Sequence, residues 1–440
     1  MPKPRKKILA WCDFNVPTGF GNVSKNLFEN LHKTYDVSII GINYHGLTKY
    51  DTSKYFVYPV STDDMLGTKR LPRICQQEDP DLLFMFQDIF HISDCIDEVK
   101  EKAISPKTKI VSYFPIDGAP CSLAWGNVFE KSDTIISYSR FAEDIIRDRF
   151  PNLQKPIHTL YHGVDGDTFY PLDSKTIKSL RKEFEWENKF VVTNINRFQP
   201  RKAIPLSARA FVMFAKGYKV CKCGNKYPIT KTFCDLNMCA VEDTIEKVSR
   251  EKDDVFLYLH MMAQEQSMGP QRANLLQNHL LNAGFVDYDV NRIIGVNARN
   301  IYAGDVPDSM INSIYNASNI NISSSLGEGC GLSLLESAAT GTPSIAPKNS
   351  AIPEQLRETG HLIPNTTVMN QAMDNAHLRP IPDCFLMAEA LEEEYQRWKE
   401  KANGGVEIRQ ECIDNIGANF KWDDKRALLE RLFKETLENG

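Results

Sequence analysis

Along the first half of the chain, short runs of apolar residues alternate with stretches whose apolar positions recur at helical spacing. The runs cover residues 7–11 (Lys-Ile-Leu-Ala-Trp), 35–41, 82–86 (Leu-Leu-Phe-Met-Phe), 109–114 and 134–138. Near-continuous apolar runs of this length predict strands buried on both faces, as in a parallel sheet covered by helices. After the first run, Val23, Leu27 and Leu31 stand at i, i+4 and i+8, one stripe of an amphipathic helix. The pattern restarts with strand-like runs at 189–194, 255–260, 320–323 and 343–346, again with helical stretches between them. Residues 161–171, rich in Gly and Asp and ending in Pro171, carry turn chemistry and separate the two series. The fold class expected is α/β, with two doubly wound Rossmann-like domains: residues 1–175, and residues 185–405 with an insertion at 218–243. Doubly wound sheets bind ligands at the carboxyl ends of their strands, so the site is expected in a cleft between the domains.

Composition narrows the class. A chain of 440 residues exceeds the roughly 250–300 at which single cores stop growing, which also argues for two domains. With 25% charged and 42% hydrophobic residues, 24 Gly and 23 Pro, it is neither disordered nor collagenous. No apolar run approaches the roughly 20 residues of a membrane span, and the basic start (Met-Pro-Lys-Pro-Arg-Lys-Lys) leads into a strand without a small-residue cleavage site. A soluble cytoplasmic protein is expected. Fifty-two basic residues against 57 acidic ones give a net charge of −5, so nucleic acid is not a favoured partner. Seven of the 11 cysteines are scattered singly, which suits reduced thiols.

Candidate chemistry concentrates in residues 323–343, Ser-Ser-Ser-Leu-Gly-Glu-Gly-Cys-Gly-Leu-Ser-Leu-Leu-Glu-Ser-Ala-Ala-Thr-Gly-Thr-Pro. A strand runs into a loop with Gly327, Gly329, Cys330 and Gly331. A helix follows, with Leu332, Leu335 and Ala339 expected on its inner face, Gly341 as its left-handed stop and Pro343 beyond. Glycines ahead of a helix let backbone amides approach an anion, and the helix N-terminus adds positive potential, so a phosphate or diphosphate is the natural ligand. Glu328 and Glu336 frame the loop, and carboxylates accept hydrogen bonds from vicinal hydroxyls.

These residues resemble the Glu-(seven residues)-Glu motif of retaining GT-B glycosyltransferases, the sucrose-synthase and mannosyltransferase-like group (glycosyltransferase family 4-like). The resemblance implies a nucleoside diphosphate sugar as donor, with Glu328 facing its sugar and Glu336 its ribose, and places Gly329, Cys330, Gly331 and Leu332 around it. It extends to the basic turn at 192–203, where Arg197 and Lys202 would stabilise the departing nucleoside diphosphate, with Arg201 a second candidate. It extends also to the turn Gly19-Phe20-Gly21, which in the family lies against the donor phosphates and the acceptor, with Asn15 and Lys25 nearby. Where many relatives have a histidine, the loop at 112–120 offers Asp117, which either orients a sugar hydroxyl or caps its turn. The 161–165 segment is read as structural, and Arg140 as a cleft residue or a helix-start ion pair. A C-terminal helix at 420–437, with Ala427, Leu428, Leu432 and Phe433 toward one side, is expected to return to the N-terminal domain.

Cys221, Cys223, Cys234 and Cys239 fall in the insertion. Two close pairs of thiolates suit a structural Zn²⁺ without open coordination positions, against the alternative of free thiols. The Glu-bearing and basic segments contain no Asp-x-Asp pair, so chemistry without an essential divalent ion is expected. The resemblance implies a retaining transferase passing a sugar to a hydroxyl acceptor: a glycan, a lipid-linked molecule or a small molecule. Left open beside it are a transferase acting on modified DNA bases, a phosphorylase or epimerase of the same fold, and a non-enzymatic binding module.

Overall fold

The five apolar runs of the first half become β1 (Lys7–Asp13), β2 (Asp36–Ile42), β4 (Leu82–Phe86), β5 (Lys109–Phe114) and β6 (Thr134–Ser137), and two short strands outside those runs, β3 (Phe56–Tyr58) and β7 (Ile157–Thr159), join them. They form one sheet in the order β3-β2-β1-β4-β5-β6-β7, and every pairing in it is parallel. Leu82, Leu83, Phe84, Met85 and Phe86 are all fully buried, which is why β4 reads as an uninterrupted apolar run. Between β1 and β2, α1 (Gly19–Leu27) buries Val23 and Leu27. It is shorter than its stripe, because Leu31 is buried from a separate single turn after the helix has ended.

The computed structural model describes residues 4–46, 54–234, 239, 241–261, 275–285, 306–370, 374–401 and 405–438. The chain divides into two compact units, one of Met1–Asp165, Asn370–Leu378 and Phe420–Gly440, the other of Gly166–Met369 and Arg379–Asn419. The N-terminal segment of the first unit ends at Asp165, ahead of the limit at residue 175 expected from the sequence.

The second unit is built on β8 (Phe190–Ile195), β9 (Gly217–Cys221), β10 (Lys226–Pro228), β11 (Thr244–Ser249), β12 (Val255–His260), β13 (Ile320–Ile322), β14 (Ser344–Pro347) and β15 (His361–Ile363). Five of them make a parallel sheet in the order β12-β8-β13-β14-β15. Its core joins Phe190, Val192, Leu257 and Ile345 with Phe211 and Phe214 of α2 (Ile204–Lys216). The insertion expected at 218–243 holds β10 and most of β9 and runs further than expected, because its three-stranded antiparallel sheet, β10-β9-β11, ends at Ser249. It leaves α2 without a spacer, at Gly217. There φ is +103°, and a Cβ would lie 2.0 Å from the Val248 carbonyl oxygen, so only glycine fits.

In the glycine-rich segment, α3 (Leu332–Ala339) buries Leu334, Leu335, Ala338 and Ala339. Leu332, expected on that face, is only partly buried, because it opens the first turn beside the loop. Gly341 has the expected left-handed conformation (φ +79°). A second correction concerns α4 (Trp422–Glu438), whose buried side is Leu429, Leu432, Phe433 and Thr436. That i, i+3, i+4, i+7 set leaves Ala427 exposed and Leu428 partly buried. The helix belongs to the first unit. The Phe433 ring lies 5.1 Å from Phe84 and 6.2 Å from Tyr35, and the Thr436 and Thr134 hydroxyls are 2.6 Å apart. β16 (Asn365–Asn370) and β17 (Leu378–Pro382) form a two-stranded sheet that the apolar pattern does not reveal. Among the described residues, no helix is long and apolar enough to cross a membrane.

Candidate active site

In each parallel sheet the strand order reverses once, and the loops leaving the two strands at that point diverge to open a crevice. In the second unit these strands are β8 and β13. The loop after β8 ends in a single turn, Pro200–Lys202, followed by Ala203 in the left-handed conformation. The loop after β13 carries Glu328. Backbone bonds tie the two loops together, with Leu326 N–H donating to the Arg201 carbonyl at 2.8 Å. The Ser324 hydroxyl donates to the Ala203 carbonyl at 2.8 Å. Lys202 and Arg201 thereby bracket Glu328. Lys202 Nζ donates to Oε1, and Arg201 Nη1 reaches Oε2 at 3.1 Å and also the Gly327 carbonyl.

Glu328 is 4% exposed. Burial by itself would raise its pKa, but the two cations outweigh it and hold the carboxylate down to about 2. Its backbone is fixed as well: the amide donates to Ser350 Oγ at 2.8 Å, and the carbonyl accepts from Ala351 at 3.2 Å. Three residues on, the Gly331 amide donates to Gln355 Oε1 at 3.0 Å, and Gln355 Nε2 donates to the Cys330 sulfur at 3.0 Å. Gly331 is the N-cap of α3 and has no side chain with which to cap it.

Glu336 sits inside α3 in an opposite environment. Burial raises its carboxyl pKa to about 7, the negative charge of Asp308 adds to the rise, and the Tyr315 hydroxyl beside it works the other way. Among the described residues no cation pairs with Glu336. The two glutamates of the motif are thus differently poised, one ionised and charge-neutralised, the other near its titration point at neutral pH. Arg197 stands apart from the Glu328 cluster on the same β8 loop, with its side chain exposed.

The first unit has a comparable switch point between β1 and β4, and there the structure adds a residue that no motif indicates. Asp13, 2% exposed at the end of β1, accepts from Thr18 Oγ1 at 2.6 Å, Asn43 Nδ2 at 3.3 Å and Gln87 Nε2 at 3.1 Å. The only signal available in sequence was a carboxylate closing an apolar strand. Thr18 also caps α1, accepting from the Gly21 amide at 2.9 Å. At Gly21 a Cβ would lie 2.3 Å from the Val16 carbonyl oxygen, so this glycine serves the turn itself. Phe20 packs on Phe86 at 5.3 Å and Tyr138 at 6.3 Å, while Gly19 is exposed. Nearby Asn15 is buried, and Lys25 and Arg140 are exposed. Asp117 lies 3.8 Å from His377 Nδ1, a histidine that is 3% exposed and sits edge-on to Trp125.

In the insertion, the sulfurs of Cys221, Cys223, Cys234 and Cys239 all lie within 4.8 Å of one another.

Residues 261–377, which include both motif glutamates, match the family model described as Glycosyl transferases group 1. No curated protein sequence matches the chain. Among solved structures, the chain is similar to sucrose-phosphate synthase from Thermosynechococcus elongatus (15% identity, TM-score 0.66, covering 99% of this chain and 100% of that one). It is also similar to Anabaena HepE in complex with UDP-glucose (12%, 0.62, 98% and 100%). A third similar structure is the catalytic domain of starch synthase IV from Arabidopsis thaliana bound to ADP and acarbose (12%, 0.60, 99% and 100%). At these identities the likeness is one of fold, and the fold is GT-B. The likeness to the group 1 family model is confined to residues 261–377.

Proposed function

We propose that the protein is a retaining glycosyltransferase that moves a sugar from a nucleoside diphosphate sugar to a hydroxyl acceptor. The observation that carries the reading is the cluster at the β8/β13 switch point, where Lys202 and Arg201 meet Glu328 beside the uncapped N-terminus of α3. A diphosphate placed there accepts hydrogen bonds from the loop amides of Gly329 and Cys330 and the first-turn amide of Leu332, beside Gly331, whose own amide is held by Gln355. Lys202 then exchanges part of its contact with Glu328 for the phosphate, and exposed Arg197 swings onto the leaving group from the same loop. Glu328, released toward the donor sugar, accepts from its hydroxyls, and Glu336 accepts from the ribose. The charge that develops on the departing diphosphate is met by these cations and amides, and the reading includes no essential divalent ion. The same reading assigns the Gly19-Phe20-Gly21 turn to donor binding and Asp117 to a sugar hydroxyl, on the resemblance of their segments to those of the family. The UDP-glucose and ADP complexes of the similar proteins support a nucleoside diphosphate donor.

The test is a thermal-shift panel of nucleoside diphosphates and nucleotide sugars on the wild type and on Glu336→Ala. One base gives a selective stabilisation, about 2.7 kcal/mol at roughly a hundred times the dissociation constant, and the variant loses it. Because an ionised carboxylate is the better acceptor, the stabilisation grows as pH rises through about 7. Lys202→Ala lowers kcat by about 10²- to 10³-fold, read as release of the nucleoside diphosphate. A folded wild type that no nucleotide stabilises, or a full shift retained by Glu336→Ala, overturns the reading.

A further inference from the structure

The four clustered cysteines take no part in the proposed sugar transfer. We propose that Cys221, Cys223, Cys234 and Cys239 bind one zinc ion in a closed tetrahedral site that holds the inserted sheet together.

Two arms bring the sulfurs together. In the first, Cys221 ends β9, its amide donates to the Asn225 carbonyl at 3.0 Å, and the Gly224 amide donates back to the Cys221 carbonyl at 2.8 Å. Gly224 takes the left-handed conformation the turn requires (φ +85°), which closes the turn that carries both Cys221 and Cys223. In the second, Cys234 and Cys239 are antiparallel bridge partners, with the Cys234 amide donating to the Cys239 carbonyl at 3.1 Å. That pairing makes neighbours of two cysteines that are two residues further apart in sequence than a C-x2-C knuckle sets them.

The distances fit the ion. Four bonds of about 2.3 Å at tetrahedral angles separate the sulfurs by about 3.8 Å. The four Sγ atoms lie within 4.8 Å of one another, and Cys223 and Cys234 are 3.6 Å apart. A disulfide would need about 2.05 Å. Asn225 Nδ2 donates to the Cys234 sulfur at 3.3 Å, the kind of outer contact that orients a thiolate ligand.

The sheet also needs such a tie. Its own apolar cluster consists of Cys221, Tyr227 and Cys234, with Cys239 packed against it, and one aromatic ring with three thiols is too small a core for three short strands. Four thiolates leave no position for water or substrate, so the ion is structural. The sheet is continuous with α2, since the Ile229 amide donates to the Gly217 carbonyl at 3.0 Å and the Arg250 amide to the Lys216 carbonyl at 2.9 Å. The ion therefore also secures the C-terminal end of the helix that begins just after Lys202.

Elemental analysis of the chain purified without chelator or affinity metal is expected to give about one zinc per chain, and Cys223→Ser, at the exposed ligand, to lose it. Should that variant fail to fold, the wild type still decides. Exchange with Co²⁺ gives the absorption bands of a tetrahedral thiolate site. Stepwise mercurial titration releases the zinc after about four equivalents, and amide-exchange protection then falls across 217–249. Four thiols that react freely in metal-free native protein, a mass showing disulfides, or iron in place of zinc overturns the proposal. Zinc content is read without any nucleotide, so its outcome is independent of the donor site.

Discussion

His162 places an imidazole where water does not follow. It is 4% exposed, its ring lies 4.2 Å from Tyr138 and stacks at 6.3 Å on Trp422, and neither ring nitrogen has a hydrogen-bond partner among the described residues. Burial lowers its pKa to about 3, so the folded state holds the neutral ring. Protonation is then favoured in the unfolded chain, and the stability this residue contributes is complete above about pH 6.5 and is lost as pH falls from there toward 3. His91, His158 and His260 are shifted in the same direction by burial, so the informative measurement is a difference. His162→Phe is expected to reduce the slope of unfolding free energy against pH between about 6.5 and 5 by up to about 1.4 kcal/mol per pH unit, read from denaturant melts. An unchanged slope rules this role out. At the same scale, Glu328 was visible in the motif, but its pairing with Arg201 and Lys202 was not. Those residues stand far along the chain from it, and only the β8/β13 pairing makes them neighbours.

At the scale of elements, α4 shows how helices are placed. Its apolar stripe was legible as a stripe, yet which edge of it faces inward depends on where Phe84 of β4, Thr134 of β6 and Tyr35 just ahead of β2 lie, far from the helix in sequence. Because Phe433 is fully buried and its ring meets Phe84, Phe433→Ala is expected to cost about 3–5 kcal/mol. The exposed neighbour Ala427 should tolerate serine within about 0.5 kcal/mol. Chemical denaturation of the two variants checks both, and a similar cost at the two positions would contradict the observed register. The inserted strands were not legible, since β11 reads Thr-Ile-Glu-Lys-Val-Ser with most of its residues exposed. A strand held by one partner and a cluster of thiols does not write an apolar run into the sequence.

Among the described residues each unit has a large hydrophobic core, one including Leu83, Met85 and Phe114, the other Phe190, Phe211 and Phe214. Similar structures share this architecture at 12–15% identity, as expected where pattern and volume are retained while individual side chains change. With both motif glutamates, Arg201 and Lys202 in the second unit, scanning calorimetry is expected to resolve two transitions. A nucleoside diphosphate should raise the temperature of the one that Glu336→Ala renders insensitive. A single transition, or equal shifts in both, would show that the units do not melt separately.

The sequence by itself determined the alternation of parallel strands and helices, the restart that makes two sheets, and the glycine-rich segment with its two glutamates. Each is written locally, in apolar runs, helical spacing and residues whose backbone freedom a turn requires. Tertiary structure decided the rest: that Glu328 is ionised between two cations while Glu336 is held near neutrality, that Asp13 gathers three donors at the first switch point, and that four cysteines meet. Ionisation depends on burial and on charges from other elements, and convergence depends on which strands pair, so neither can be read along the chain.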